Sequence, residues 1–265
     1  YFLEADQGHA ANQAAEPNVM AWTDNRIDTS VLLGRTLLQR GKLAQARGGL
    51  RAAVASAAAL SRHDPDNTAW RRSHANALVS LARVELACGD LPAASATMAG
   101  ARPLLQRALE EAPEEELAIT YFVRGLLLDA ELALASGREA DAAASLARVD
   151  EPLAGAWRRA PSDGLRQLLS QREHLGASLL EQRGDVEAAR RLRRAALARL
   201  VEGAGSEPAF SDLELVAALQ AALGQRGDAE ASRARLLRGG AAPEATPAAC
   251  RQEFAGLPAS PRTGR

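Results

Sequence analysis

A pattern of proline and glycine that returns about every 48 residues constrains this chain more than any other feature. Five prolines mark the period at spacings of 48, 48, 48 and 47 residues, namely Pro17, Pro65, Pro113, Pro161 and Pro208. Five glycines lie between or after them, namely Gly41, Gly89, Gly137, Gly184 and Gly227. Because internal periods of about 20–50 residues indicate stacked structural units, we expect a repeat array rather than one globular core.

The amino-acid composition indicates that the repeating unit is helical. The 265 residues include 60 Ala and 39 Leu but only 10 Val and 2 Ile. Ala and Leu have the highest helix propensities, whereas β-branched residues favour strands. This balance excludes an all-β protein and argues against a parallel-sheet enzyme.

The glycines and prolines divide each unit into two helices. Glycine is favoured just past the end of a helix, and proline is tolerated only near a helix start or beyond its end. Each unit is therefore expected to contain a helix A before its glycine and a helix B after it. Asp90, Asp185 and Asp228 follow their glycines, where they are expected to cap helix B. Pro103 and Pro152 fall inside the predicted B helices, where we expect kinks or breaks.

The same positions carry short words that resemble the tetratricopeptide repeat family. The Leu-Gly word of that family's helix A appears as Leu33-Gly34, as Leu81-Ala82 and as Leu175-Gly176. Its helix-B alanine appears as Ala46, Ala94 and Ala142. The resemblance implies an all-α fold, an α-solenoid of about five stacked antiparallel helix pairs. The family unit has about 34 residues, and the longer unit here adds about two turns to each helix.

The markers also give the expected organisation of the chain. Residues 1–16 align with the second half of a helix B and are predicted to be the end of a truncated preceding repeat. Residues 17–238 form the array, with units at 17–64, 65–112, 113–160, 161–207 and 208–238. Residues 239–265 are rich in proline and glycine, which predicts an irregular tail with a short capping helix at 246–256.

The resemblance places the candidate partner-binding residues on the concave face, which helix A lines in such arrays. Three ladders follow from the distance of each residue to its turn glycine. One contains Asp28, Asn76 and Arg124, the second Val31, Val79 and Leu127, and the third Arg35, Arg83 and Glu131. Such a mixed polar and apolar strip suits an extended peptide or a helix. The alternative is that these side chains only solvate the groove.

The sequence contains no recognisable set of catalytic residues. Dinucleotide-binding, nucleophile-elbow and metalloprotease motifs are absent. A phosphate-loop motif is absent too, because Gly41-Lys42 is followed by Leu43 rather than Ser or Thr. The four histidines have no metal-ligand spacing. We therefore expect no enzyme activity, no cofactor and no metal.

Charge and hydropathy indicate which partners to expect. The net charge is −1, which argues against nucleic acid as a partner. The arginine runs at residues 190–194 lie beside Glu187 and are interpreted as a solvated face rather than a nucleic-acid handle. No stretch approaches the ~20 apolar residues of a membrane helix, so we expect no membrane insertion.

These features predict a non-catalytic scaffold that binds a protein or peptide segment in a curved groove. The chain resembles repeat regions appended to bacterial signalling proteins such as serine/threonine kinases, which implies an effector domain N-terminal to Tyr1. The alternative is a ligand-sensing helical domain that binds a small molecule or peptide and regulates such an effector, with a pocket at Pro103 and Pro152.

Overall fold

A computed structural model describes residues 2–16, 20–202, 208 and 210–240 of the chain. Every element in these ranges is a helix, and no strand occurs among them. The predicted all-α solenoid class is therefore confirmed.

Eleven α-helices follow one another along the described part of the chain. They are α1 Phe2–Ala15, α2 Met20–Gln39, α3 Leu43–His63, α4 Thr68–Ala87, α5 Leu91–Glu111, α6 Glu116–Ala135, α7 Glu139–Arg159, α8 Asp163–Gln182, α9 Val186–Glu202, α10 Leu213–Ala222 and α11 Arg226–Arg238. A short 3-10 turn, Phe210–Asp212, precedes α10. We call α2, α4, α6, α8 and α10 the A helices, and α3, α5, α7, α9 and α11 the B helices.

The first units are nearly identical in helix length, which explains the 48-residue period. The first four A helices have 20 residues each, and the first three B helices have 21. The helix pairs lie inside the units proposed from the sequence. Only three residues, Ala160 to Ser162, connect α7 to α8, whereas four residues connect α5 to α6. This missing residue accounts for the spacing of 47 around the fourth unit.

Glycine makes the turn between helix A and helix B in every unit. Gly41, Gly89, Gly137 and Gly184 all have positive φ, between 67° and 84°, which an L side chain rarely adopts. In the last unit the prediction of Gly227 is wrong, because Gly224 takes this conformation with φ 81°. Gly227 lies instead in the first turn of α11. The last unit is shorter than the others, so its turn comes earlier than the period predicts.

The predicted aspartate caps form in two units of three. Asp90 accepts a hydrogen bond from the backbone N–H of Ala93 at 3.2 Å, and Asp185 accepts one from Ala188 at 3.0 Å. Each satisfies a backbone donor that a helix start otherwise leaves unbonded. Asp228 lies inside the first turn of α11 and is not its cap.

Neither internal proline breaks its helix, so the predicted alternative of a break is wrong. α5 is continuous through Pro103, and α7 is continuous through Pro152. A proline leaves the carbonyl four residues earlier without its helical donor. Those carbonyls belong to Ala99 and Arg148, which are exposed residues, so solvent can satisfy them. Packing on the opposite face of each helix then keeps the helix intact.

The helix pairs pack in single file, as a solenoid requires. Each A helix from α2 to α6 contacts the next A helix, and each B helix contacts the A helices before and after it. Small residues allow the close approaches: a methyl group on Gly34 would lie 2.6 Å from Cγ of Leu50 on the paired helix. The described core consists of large clusters between these helices, with Leu50, Met98 and Leu153 almost fully buried.

The two ends of the array approach each other. A methyl group placed on Gly240, just past α11, would lie 3.8 Å from Nη2 of Arg40 in the turn after α2. At the beginning of the chain, α1 packs against α2. The predicted capping helix at 246–256 lies outside the described residues.

Candidate binding groove

The A helices form one face of the array. α2, α4, α6 and α8 contact one another in sequence, so their outward sides make one continuous surface. Arg35 on α2 lowers, through its charge, the pKa of Tyr121 on α6, although α4 lies between these helices. Long side chains on α2 and α6 therefore come within electrostatic range of each other across α4. We call this surface the groove.

Of the nine predicted residues, five are at least partly accessible on the A helices, and a sixth, Asn76, contacts one of them. Asp28 is exposed, and Arg35, Arg83, Arg124 and Glu131 are half-buried. Asn76 is buried at the floor, where its Oδ1 accepts a hydrogen bond from Nη2 of Arg35 at 2.7 Å.

The apolar ladder lies elsewhere, and its prediction as a groove lining needs correction. Val31, Val79 and Leu127 are 1%, 7% and 0% exposed. Val31 packs in the cluster around α3, and Val79 and Leu127 pack in the central cluster. These positions point between the helices, so the residues stabilise the array and are not available to a partner in this conformation.

Two of the groove residues neutralise each other. Nη1 of Arg83 donates a hydrogen bond to Oε2 of Glu131 at 2.6 Å, across 48 residues of sequence. Since 48 residues is one unit, this ion pair links equivalent positions of neighbouring A helices. Both charges are therefore already used within the fold.

Arg35 and Arg124 are not neutralised in this way. Arg35 donates only to the neutral amide of Asn76, and within the described ranges Arg124 forms neither an ion pair nor a side-chain hydrogen bond. Burial, helped by the nearby charges of Arg124 and Arg83, lowers the pKa of Arg35 to about 10. Burial also lowers the pKa of Arg124. An anion bound beside these two arginines would favour their charged forms and raise their pKa values again.

An acidic pair lies about two and three turns before Arg35 on the same helix. Asp24 and Asp28 are four residues apart on α2, so both face the same side. Although Asp28 lies at the surface, neighbouring groups partly desolvate its carboxyl and raise its pKa; the charge of Asp24 raises it further, whereas Arg35 lowers it. Oδ1 of Asp24 is buried and has no hydrogen-bond partner. No carboxylate of this pair makes an ion pair among the residues described.

Tyr121 belongs to the same site, and the ladder reasoning did not identify it. Burial raises the pKa of its phenol, the charge of Asp28 raises it further, and Arg35 and Arg124 lower it. The ring is therefore within electrostatic range of both the acidic and the basic pair. The equivalent positions of the first two units hold Asn25 and Ser73, so no repeating word pointed to this tyrosine.

The fourth unit carries a polar cluster that the sequence analysis also missed. Counted from the turn glycine, His174 occupies the position of Val31, Val79 and Leu127. Counted in the same way, Arg193 occupies the position of Leu50, Met98 and Leu146. Aligning the fourth unit at an offset of 47 rather than 48 would have revealed both departures.

This cluster holds an ion pair between a buried arginine and a glutamate whose side chain is 50% exposed. Arg193 is 5% exposed, and its Nη2 donates to Oε2 of Glu181 at 2.5 Å. Burial and the charge of Arg193 lower the pKa of His174, against a smaller opposite effect of Glu131 and Glu181. The interpretation of the 190–194 run as a solvated face is thus wrong for Arg193, although Arg190 does pair with Glu187 at the surface.

A small cavity lies beside α5, close to Pro103. It measures about 20 Å³ and is lined by Arg102, Leu105, Phe122, Gly125, Leu126, Asp129 and Arg148. This volume suffices for about one water molecule. The cavity is therefore too small for the metabolite pocket that the sequence analysis associated with Pro103.

The described residues lack two other kinds of functional feature. They contain no group of three or more His, Cys, Asp or Glu side chains arranged to hold a metal ion. No helix in the part of the chain that the structure covers has the length and apolar character needed to cross a membrane.

Comparison with known proteins gives a fold but no family. No family model matches the chain, and no curated protein matches it. Among solved structures, the chain is similar to the crystal structure of BtubC (BKLC) from P. vanneervenii, with a TM-score of 0.54 and 17% sequence identity. The likeness covers 100% of this chain and 93% of that one. It is a likeness of fold. It supports a helical repeat architecture.

Proposed function

We propose that the chain is a non-catalytic interaction scaffold whose groove binds a segment of another protein. The array is taken to be tetratricopeptide-like, on the strength of its paired helices, its turn glycines and its Leu-Gly words. By the same resemblance, the chain acts as the regulatory or partner-binding region of a larger bacterial signalling protein.

One observation carries the groove assignment. Arg35 and Arg124 come from different units, are half-buried, lie within electrostatic range of each other and have no carboxylate partner. Elsewhere in the groove the fold pairs its own charges, as at Arg83 and Glu131. Holding two like charges together at partial burial costs stability, and an anionic group of a partner would offset that cost.

An extended segment suits this surface better than a compact ligand. The charged side chains are spread along α2 and across to α6, and the described cavity near Pro103 has room for only about one water. The ligand-sensing alternative remains a prediction, and no specific observation favours it over the scaffold.

Selection from a random peptide library tests the proposal. Peptides are displayed on phage and selected against the immobilised chain, against R35E/R124E and against the control R191E/R194E. The control makes the same charge change at two exposed residues of α9, outside the groove. We expect enrichment on the parent chain and the control and loss of it on R35E/R124E, with circular dichroism confirming that all three are folded. Equal enrichment on all three would refute the groove as the binding surface.

A further inference from the structure

The groove contains two opposite charge pairs, and this arrangement specifies a partner more narrowly than a peptide in general. Asp24 and Asp28 supply two carboxylates, and Arg35 and Arg124 supply two guanidinium groups, with Tyr121 in electrostatic range of both sets. We call these residues the bipolar site. None of the four charged groups forms an ion pair with another described residue.

The separation of the two pairs is comparable to a short stretch of extended chain. Asp28 and Arg35 are seven residues apart on α2, so their Cα atoms lie about 10 Å apart along the helix axis. Side chains in a helix lean toward its N-terminus, which carries the guanidinium of Arg35 back toward Asp28. Consistent with this, each of the two charges shifts the pKa of the other.

In an extended peptide, residues i and i+2 point to the same side and lie about 7 Å apart. A glutamate and a lysine at these positions have long, flexible side chains that can reach the two charge pairs. A peptide with only acidic residues would leave Asp24 and Asp28 unpaired and would be repelled by them. The site is therefore complementary to a segment that carries both signs.

We infer that the groove recognises an extended segment bearing an acidic and a basic side chain two residues apart, with the carboxylate on Arg35 and Arg124 and the cation on Asp24 and Asp28. This inference rests on the proposed function, because it names the chemistry of the segment that the same groove binds. A requirement for both charges distinguishes this site from a simple anion site, which an acidic residue of the peptide alone would occupy.

Five synthetic peptides test the inference by fluorescence anisotropy. Each is a fluorescein-labelled 13-residue peptide of Ser and Gly with one central tripeptide: Glu-Ser-Lys, Lys-Ser-Glu, Glu-Ser-Gln, Gln-Ser-Lys or Gln-Ser-Gln. Both orders of the bipolar peptide are needed, because the direction of the chain in the groove is open. We expect one bipolar order to bind at least tenfold tighter than either singly charged peptide.

Two variants assign the charges within the site. D24N/D28N should bind the preferred bipolar peptide only as tightly as it binds Glu-Ser-Gln, and should leave the affinity for Glu-Ser-Gln undiminished. R35Q/R124Q should bind the bipolar peptide only as tightly as Gln-Ser-Lys. The matched controls E110Q/E114Q and R191Q/R194Q remove the same charges from exposed residues outside the groove and should bind as the parent does.

The outcomes separate the inference from the function on which it rests. If Glu-Ser-Gln binds as tightly as both bipolar peptides, the bipolar inference is overturned and a simple anion site remains. If no synthetic peptide exceeds Gln-Ser-Gln, the inference is also overturned, and the library selection decides whether the groove binds peptides of another kind. Failure of that selection would overturn the proposed function itself.

Discussion

Arg193 occupies the buried position between helix B and helix A where the first and third units place Leu50 and Leu146, and it pairs there with Glu181 at 2.5 Å. A guanidinium thus replaces an aliphatic side chain in an otherwise regular core. The folded chain tolerates this guanidinium because Glu181 pairs with it, since a buried charge without a partner is strongly destabilising.

Substitutions at this pair should have unequal effects on stability. E181Q leaves the charge of Arg193 buried without a full partner, and the free energy of unfolding should fall by about 1–3 kcal/mol. R193L restores the residue type of the first and third units, and the free energy of unfolding should be unchanged or higher, because buried ion pairs seldom exceed apolar packing in stability. Urea unfolding followed by circular dichroism measures both.

A surface pair provides the control for that comparison. Glu187 pairs with Arg190 at 3.3 Å, and both side chains are more than half exposed. E187Q should change the free energy of unfolding by less than about 0.5 kcal/mol. A loss in E187Q equal to that in E181Q would show that burial of Arg193 is not the cause.

His174 should make stability depend on pH. Burial and the charge of Arg193 lower its pKa in the folded chain below the ordinary 6.5. The unfolded chain therefore takes up the proton first as the pH falls, so this contribution to stability is complete above about 6.5 and is lost below it. H174L, which restores the residue type of Leu127, should lose less stability between pH 7 and pH 5 than the parent chain.

Urea unfolding at several pH values tests this assignment. Burial also lowers the pKa of His74, whose contribution has the same sign and is present in both proteins. The difference between parent and H174L thus isolates His174. Parallel pH dependences of the two proteins would contradict its role.

The sequence predicted the turns because backbone geometry alone decides them. Only glycine readily adopts the positive φ at Gly41, Gly89, Gly137 and Gly184, so those residues had to recur with the period. In the last unit the prediction was wrong, because Gly227-Asp228 resembles the turn sequences of the earlier units. This unit is shorter, and its turn is at Gly224. Helix continuity at Pro103 and Pro152 depended on exposure and packing, which no local signal encodes.

The binding surface was less predictable, because it depends on which charges the fold neutralises. Sequence alignment found Arg35 and Arg83 as equivalent residues, yet Arg83 is paired with Glu131 and Arg35 is not. The apolar ladder of Val31, Val79 and Leu127 was predicted to line the groove, although a rotation of part of a helical turn places these residues in the core. Tyr121 joins the site only because the side chains of α2 and α6 come within electrostatic range across α4, which no local sequence pattern encodes.

Gly34 should tolerate no side chain, unlike an exposed glycine nearby. The methyl group of G34A would meet Cγ, Cδ1 and Cδ2 of Leu50 at 2.6–2.9 Å, so the whole side chain must move. We expect a loss of about 1–3 kcal/mol in the free energy of unfolding. G48A in α3 meets nothing within 4 Å and should instead gain about 0.5–1 kcal/mol from higher helix propensity.

Thermal and urea unfolding of the two glycine variants distinguish packing from propensity. Both changes replace glycine by alanine within a helix, so propensity alone predicts the same sign for both. A stabilised G34A would show that α2 and α3 do not pack as closely as described.

Tyr121 should titrate above the ordinary tyrosine value of 10.0, because burial and the charge of Asp28 raise its pKa. Removing that charge in D28N should lower it. The chain has two tyrosines, so a Y1F background leaves a single signal whose ¹³Cζ shift can be followed by NMR as the pH rises. An increase in the pKa of Tyr121 on D28N would contradict the proximity of the two residues.

The same tyrosine provides the most direct measurement of where a partner binds. In the Y1F background, the ring resonances of Tyr121 in the groove and the indole resonance of Trp157 on α7, a B helix, are followed as the preferred bipolar peptide is added to saturation. The account predicts a saturable shift of Tyr121 with Trp157 unmoved. A saturated complex in which Trp157 shifts and Tyr121 does not would contradict binding to the face of the A helices.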